Sequence, residues 1–153
     1  MLMGMSLVSA EIGRGRDDFD GSTWITSGTS IDSDGKWIGF QRKTTNTERE
    51  YYISFSSKSL NYIKFSKESA EIKIDDNPVQ KIAVKEVSSS PSVTNSKLSF
   101  IDVKVVLPIE IIQQIKTANR IAIKFHRENS PPYVYVLPDS VLAEWKQVIN
   151  TEK

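Results

Sequence analysis

The chain has 153 residues, 39% of them hydrophobic and 25% charged, and its 20 basic and 19 acidic side chains leave a formal charge of +1. This length and composition predict one globular domain with its own core, and the near-neutral charge provides no long-range field to gather nucleic acid or an anionic membrane. The absence of cysteine excludes disulfide bonds and thiolate chemistry, and no apolar run reaches the roughly 18 residues that a membrane-spanning helix needs.

The N-terminal segment, residues 1–10 (MLMGMSLVSA), is apolar and ends in Val8-Ser9-Ala10. This ending is typical of signal-peptidase cleavage after Ala10, although no basic region precedes the apolar run. We therefore expect residues 1–10 to be a signal-peptide remnant and residues 11–153 to form a periplasmic or secreted β-rich domain. The alternative is an apolar N-terminal segment of a cytoplasmic protein.

The first strands are predicted after a polar opening. Residues 11–21 are charged and contain glycine, a composition that indicates a loop. Residues 23–26 and 36–42 are rich in aromatic and β-branched side chains, and Asp32-Ser33-Asp34-Gly35 lies between them. Aspartate bonds its own backbone and glycine accepts a positive φ, so this segment favours a turn. The pattern predicts a β-hairpin.

Alternation of apolar and polar residues predicts the strands that follow. Residues 50–56 carry Ile53 and Phe55 on one side and Tyr52 on the other, which indicates a strand with one wet face. Similar patterns predict further strands at residues 60–65, 71–74, 80–87, 98–107, 120–125 and 133–137. Residues 88–96 (SSSPSVTNS) are too polar to bury and predict a mobile loop.

Two short helices are predicted at residues 108–118 and 138–150. Each places apolar side chains at helical spacing after a proline, which the first turn of a helix tolerates. Asp139 or Ser140 is the predicted N-cap of the second helix. The two segments also align with each other without gaps, a match that two similar strand-to-helix corners explain better than a duplicated binding unit, because repeat arrays usually need at least three copies.

These elements predict the fold class. We expect a mainly β (α+β) protein, either an antiparallel β-sandwich or a curved sheet, with two short helices in the C-terminal third.

The residues that could carry chemistry form no catalytic motif. The lone histidine, His126, has no second histidine or cysteine to complete a zinc site, so we expect a paired or solvent-exposed side chain. The Asp-x-Asp-Gly stretches that start at Asp18 and Asp32 lack the acidic first and twelfth positions of a calcium loop. Ser33 and Lys36 have the Ser-x-x-Lys spacing, but in a predicted turn. We predict no catalytic residue, no metal and no cofactor.

Aromatic side chains in the predicted strands are the candidate binding residues. Rings on a sheet face can bind sugars or peptides, although strands more often use them in cores and cross-strand pairs. Trp24, Trp37, Tyr52 and Tyr133 are the candidates. Tyr52 and the loop at residues 88–96 are expected to be exposed, because Tyr52 alternates away from the apolar face.

The C-terminal third has a recognisable plan of strand, short helix, strand, extended segment and final helix over residues 97–148. In this order, and in the opening Asp18-Phe19-Asp20-Gly21-Ser22-Thr23, the chain resembles small exported bacterial β-sandwich proteins, namely the invasion-associated locus B group and the VasI-like accessories of type VI secretion. Those groups often carry a glycine before the last helix, and Val136-Leu137-Pro138-Asp139 lacks it. The resemblance implies export and no defined catalytic residue.

The leading hypothesis is a non-enzymatic binding or accessory protein, exported to the bacterial cell envelope, whose partner is a protein. One alternative is an enzyme inhibitor or a hydrolase with a site of scattered carboxylates, which converging acids in a pocket would favour. Another is a structural subunit of a phage or envelope assembly, which an exposed apolar patch would favour.

Overall fold

The computed structural model describes residues 11–31, 35–59, 64–91, 99–128 and 130–152. Nine strands and two helices lie in these ranges: β1 (Glu11–Arg16), β2 (Thr23–Ser30), β3 (Trp37–Thr44), β4 (Arg49–Ser59), β5 (Phe65–Ile74), β6 (Gln80–Pro91), β7 (Ser99–Leu107), α1 (Ile109–Ile115), β8 (Ile121–Arg127), β9 (Tyr133–Val136) and α2 (Asp139–Asn150). None of the described helices is long and apolar enough to cross a membrane.

The strands form one curled antiparallel sheet in the order β1-β2-β3-β4-β7-β6-β5-β8-β9. The first four strands follow one another as a meander, and β7 then pairs with β4, so that the β5–β6 hairpin lies beyond β7. This arrangement is the curved sheet of the predicted fold class, with both helices after β7.

One face of the sheet carries the core, and we call it the inner face. The alternation along β4 predicts which side chains lie on this face, and Ile53 and Phe55 are both fully buried there. The other strands add apolar side chains to the same core, among them Ile38, Phe40, Ile72, Ile101, Val103, Val105, Ile123 and Phe125. Both helices bury their apolar stripes in this core, so they cover the inner face and leave the outer face to solvent.

The two strand-to-helix corners are built alike, as their matching sequences predict. Pro108 and Pro138 occupy the N-cap positions with φ of −70° and −60°. Each proline carbonyl accepts hydrogen bonds from the amides three and four residues later. The expectation that Asp139 or Ser140 would be the N-cap of α2 is therefore wrong, because the helix begins at Asp139 and Pro138 is its N-cap residue.

Two other segments differ from the prediction. Residues 11–16 form the edge strand β1 rather than a loop, since backbone pairing with β2 holds a strand that buries little side-chain surface. The predicted loop at 88–96 begins as strand, because Ser88–Pro91 continue the pairing of β6 with β7, and the rest of it lies outside the described residues. Residues 1–10 and most of the predicted strand at 60–65 also lie outside them.

Candidate functional site

The outer face carries a groove of about 370 Å³ across strands β2, β3, β4, β7 and β6. The strand register places its lining side chains in rows that run across the sheet. One row consists of Trp37, Ser56, Asp102 and Ser88, which are successive cross-strand partners on four strands. We call this set the Trp37 row. A pocket of this size falls within the range of small-ligand sites.

The floor of the groove is a second row, which has small side chains on β3 and β4. Gly39 pairs with Ser54, and Ser54 pairs with Lys104, which in turn lies opposite Glu86. Because glycine and serine leave the backbone almost uncovered, the face is concave at this point.

The Trp37 indole lies close against the sheet and lines the groove. A Cβ atom added at Gly28 would stand 2.4 Å from the ring, and one added at Gly39 would stand 2.3 Å from it. Both glycines are therefore required for this ring position. The indole therefore packs close to the backbone of β2 and β3, and the Trp37 side chain remains partly exposed.

Polar groups of several kinds surround this ring. The groove is lined by hydroxyls of Thr26, Ser54, Ser56 and Ser88, the amide of Gln41, the carboxylates of Glu86 and Asp102, and the ammonium of Lys104. The Ser56 hydroxyl donates a hydrogen bond to Asp102 Oδ1. The arrangement offers both donors and acceptors beside an aromatic surface.

Tyr52 lies on the outer face, as its alternation predicts, but it is only 4% exposed. Lys104 Nζ is 4.3 Å and Lys85 Nζ is 4.9 Å from the centroid of its ring, so the two lysine side chains cover it. The Tyr52 hydroxyl donates to Glu50 Oε2 at 2.6 Å. The expectation that Tyr52 is exposed is therefore wrong.

Burial, followed by the hydrogen bond to Glu50, raises the pKa of Tyr52 to about 12. An unfolded tyrosine ionises near pH 10. The folded state therefore keeps its proton over a range in which the unfolded state has lost it, and stability is expected to fall as pH rises from about 10 towards 12. Ultraviolet titration of the phenols and chemical unfolding across this range measure both effects. In Tyr52→Phe the late-ionising phenol should be missing and the decline shallower. An unchanged titration curve would contradict the assignment.

The other two aromatic candidates lie outside the groove. Trp24 is on the outer face, where its ring lies over Gly15 beside a separate pocket. Tyr133 lies on the inner face, and its ring centroid is 5.1 Å from that of Phe55. It is partly buried and packs against the core.

His126 has a carboxylate partner, since its Nε2 contacts Glu71 Oε2 on the outer face of β5 and β8. Within the described ranges, no group of three or more histidine, cysteine, aspartate or glutamate residues could hold a metal ion.

Of the four aromatic candidates, only Trp37 lines the groove, and the other lining residues were not predicted from the sequence. Ser54, Ser56 and Asp102 each occupy outward positions of predicted strands, but nothing local indicates that β4 pairs with β7. The 40-residue separation between these strands hides the juxtaposition until the register is known.

Comparisons with protein-family models, with curated proteins and with solved structures gave no match for this chain.

Proposed function

We propose that this chain is a non-enzymatic carbohydrate-binding protein that holds a short, neutral saccharide in the outer-face groove. The observation that carries the proposal is the partly exposed Trp37 indole, which packs over Gly28 and Gly39 beside the hydroxyls of Ser54 and Ser56. A pyranose ring has an apolar C–H face that stacks on an aromatic ring. Its hydroxyl groups both donate and accept hydrogen bonds.

The lining of the groove suits this ligand better than it suits a charged one. Glu86 and Lys104 are cross-strand partners on the floor, so the groove contains charged groups of both signs. Asp102 accepts a hydrogen bond from Ser56 and has further acceptor capacity towards sugar hydroxyls. A shallow site with hydroxyl, amide and carboxylate groups favours a polyhydroxylated neutral ligand.

The experiment is a binding screen of the full chain against neutral oligosaccharides, namely cello-, malto- and chitooligosaccharides, by isothermal titration calorimetry. We expect Trp37→Ala to weaken binding at least about tenfold, which corresponds to about 1.4 kcal/mol. Gly39→Ala should have a similar effect, because its Cβ would displace the ring.

Trp24→Ala is the matched control, since it removes an indole that also lies over a glycine of the outer face but outside the groove. Binding lost in Trp24→Ala and kept in Trp37→Ala would contradict the proposal. The same samples distinguish binding from hydrolysis by Glu86 and Asp102. Oligosaccharide recovered intact supports a binding protein, and new reducing ends would support the hydrolase.

We also propose the bacterial cell envelope as the place of action, on the strength of the Val8-Ser9-Ala10 pattern. Cleavage after Ala10 would make Glu11 the first residue of the mature chain. N-terminal sequencing of the periplasmic protein would then read from Glu11, and an uncleaved cytosolic chain would contradict export.

A further inference from the structure

The β1–β2 turn presents an aromatic side chain entirely to solvent. Phe19 has a relative exposure of 102%. The turn beneath it is well ordered by hydrogen bonds: Asp17 Oδ1 accepts from the amide of Phe19, and Asp20 Oδ1 accepts from the amide of Ser22, both at 2.8 Å. Gly21 adopts a φ of 75° and its amide donates to the Asp17 carbonyl. We call residues 17–22 the Phe19 turn.

Exposure of a whole phenyl ring on such a turn has no role in the fold, because the ring packs against nothing. A turn needs polar residues and glycine, and residues 17, 18, 20 and 21 supply them. The ring is therefore available to a partner, and the three aspartates around it give that contact a negative rim.

A complementary pocket lies at the other edge of the sheet, on the outer face of β5, β8 and β9. It has a volume of about 140 Å³, close to the roughly 150 Å³ of an apolar protein cavity that binds benzene. Val79, Ala122 and Val134 line it, and both valines are about half exposed, at 52% and 50%. We call it the valine pocket.

The rim of the valine pocket is basic. Lys73 and Lys124 line it. Glu71 is the one carboxylate among its lining residues; it contacts His126 and has Lys81 and Lys124 as its cross-strand partners in β6 and β8. The pocket thus offers positive charge where the Phe19 turn carries negative charge.

We propose that the Phe19 side chain of one copy inserts into the valine pocket of a second copy, with Asp18 and Asp20 facing Lys73 and Lys124. Because the two surfaces are different patches of the same molecule, the contact is heterologous. Each copy keeps a free turn at one end and a free pocket at the other, so the contact generates rings or filaments. This inference does not depend on the groove, which lies on other strands.

The test is analytical ultracentrifugation of the full chain over a range of concentrations in low salt. Wild type should sediment as a concentration-dependent series of oligomers. Phe19→Ala removes the turn's ring and Val134→Asp places a charge in the pocket, and each variant alone should weaken self-association at least about tenfold. Both residues are exposed, so circular dichroism should show unchanged folding.

Mixing the two variants makes the test specific. Phe19→Ala keeps an intact pocket and Val134→Asp keeps an intact turn, so the mixture should form a 1:1 dimer and grow no further. Lys124→Glu serves as a second pocket variant if Val134→Asp folds poorly. A wild type that stays monomeric, or variants that oligomerise like wild type, would overturn the proposal. A mixture that stays monomeric would also overturn it, since an intact turn and an intact pocket would then not bind each other.

Discussion

Replacement of Trp145 by alanine is expected to lower the free energy of unfolding by about 3–5 kcal/mol, the range for deletion of a large buried aromatic side chain. Trp145 is 1% exposed and lies in the middle of the apolar stripe of α2. Its ring stacks on Phe40 with centroids 4.8 Å apart, and Phe40 in turn approaches Tyr51. Loss of the indole would therefore open a cavity between α2 and the sheet.

Chemical denaturation measures this effect, with Trp24→Ala as the control. Trp24 is a half-buried indole on the outer face, so its removal should cost much less than removal of Trp145. Equal losses in the two variants would contradict the assignment of α2 as the cover of the inner face.

Replacement of Arg42 by methionine is expected to lower the free energy of unfolding by about 2–4 kcal/mol, because buried carbonyl groups lose their hydrogen-bond donor. Arg42 is 1% exposed and interrupts the inner-face stripe of β3. Its Nη1 donates to the carbonyls of Val148, at 2.9 Å, and Thr151. The last carbonyls of a helix have no partner within the helix and carry partial negative charge, so the guanidinium both caps α2 and offsets its dipole.

The burial of this arginine has a cost as well. Desolvation lowers the pKa of Arg42, and its Nε is buried without a hydrogen-bond partner. Methionine keeps most of the side-chain volume, so its effect isolates the lost hydrogen bonds rather than a cavity.

Arg49→Met is the matched control for Arg42→Met. Arg49 also donates to a carbonyl of the C-terminal segment, that of Glu152 at 2.9 Å, but in an exposed position. Water can replace that bond, so we expect a change of about 0.5 kcal/mol or less. Equal losses of stability for the two substitutions in denaturant unfolding would show that the buried hydrogen bonds of Arg42 stabilise the fold no more than the exposed bond of Arg49.

Alternation along the chain predicted the strands well wherever one face is buried. Ile53 and Phe55 lie on the inner face and Trp24, Trp37 and Tyr52 on the outer face, in agreement with period-2 spacing. It could not predict β1, since an edge strand is held by its backbone and Gly15 serves only to make room for a ring of β2.

Burial on the outer face was beyond prediction for a different reason. Tyr52 is covered by Lys85 and Lys104, which come from β6 and β7. Those lysines reach it only because β7 pairs with β4, a choice that depends on the packing of the whole sheet. The same pairing brings Asp102 to Ser56 and so builds the groove.

Arg42 shows what a local pattern can suggest and what it leaves out. An arginine at the inward position after Ile38 and Phe40 contradicts the apolar stripe, and a buried charge of this kind demands partners. Its partners are carbonyl groups of α2, over 100 residues away, and the sequence alone could not identify them.

The most direct test of carbohydrate binding at the groove is a nuclear magnetic resonance titration of the ¹⁵N-labelled chain with the saccharide that binds best in the screen. The chain has three tryptophans, so three indole N–H signals can be followed and assigned by Trp24→Phe and Trp37→Phe. We predict that the signal of Trp37 shifts in a saturable way while those of Trp24 and Trp145 stay in place. Saturable shifts at Trp24 with none at Trp37, or no binding by any saccharide tested, would contradict the proposed function.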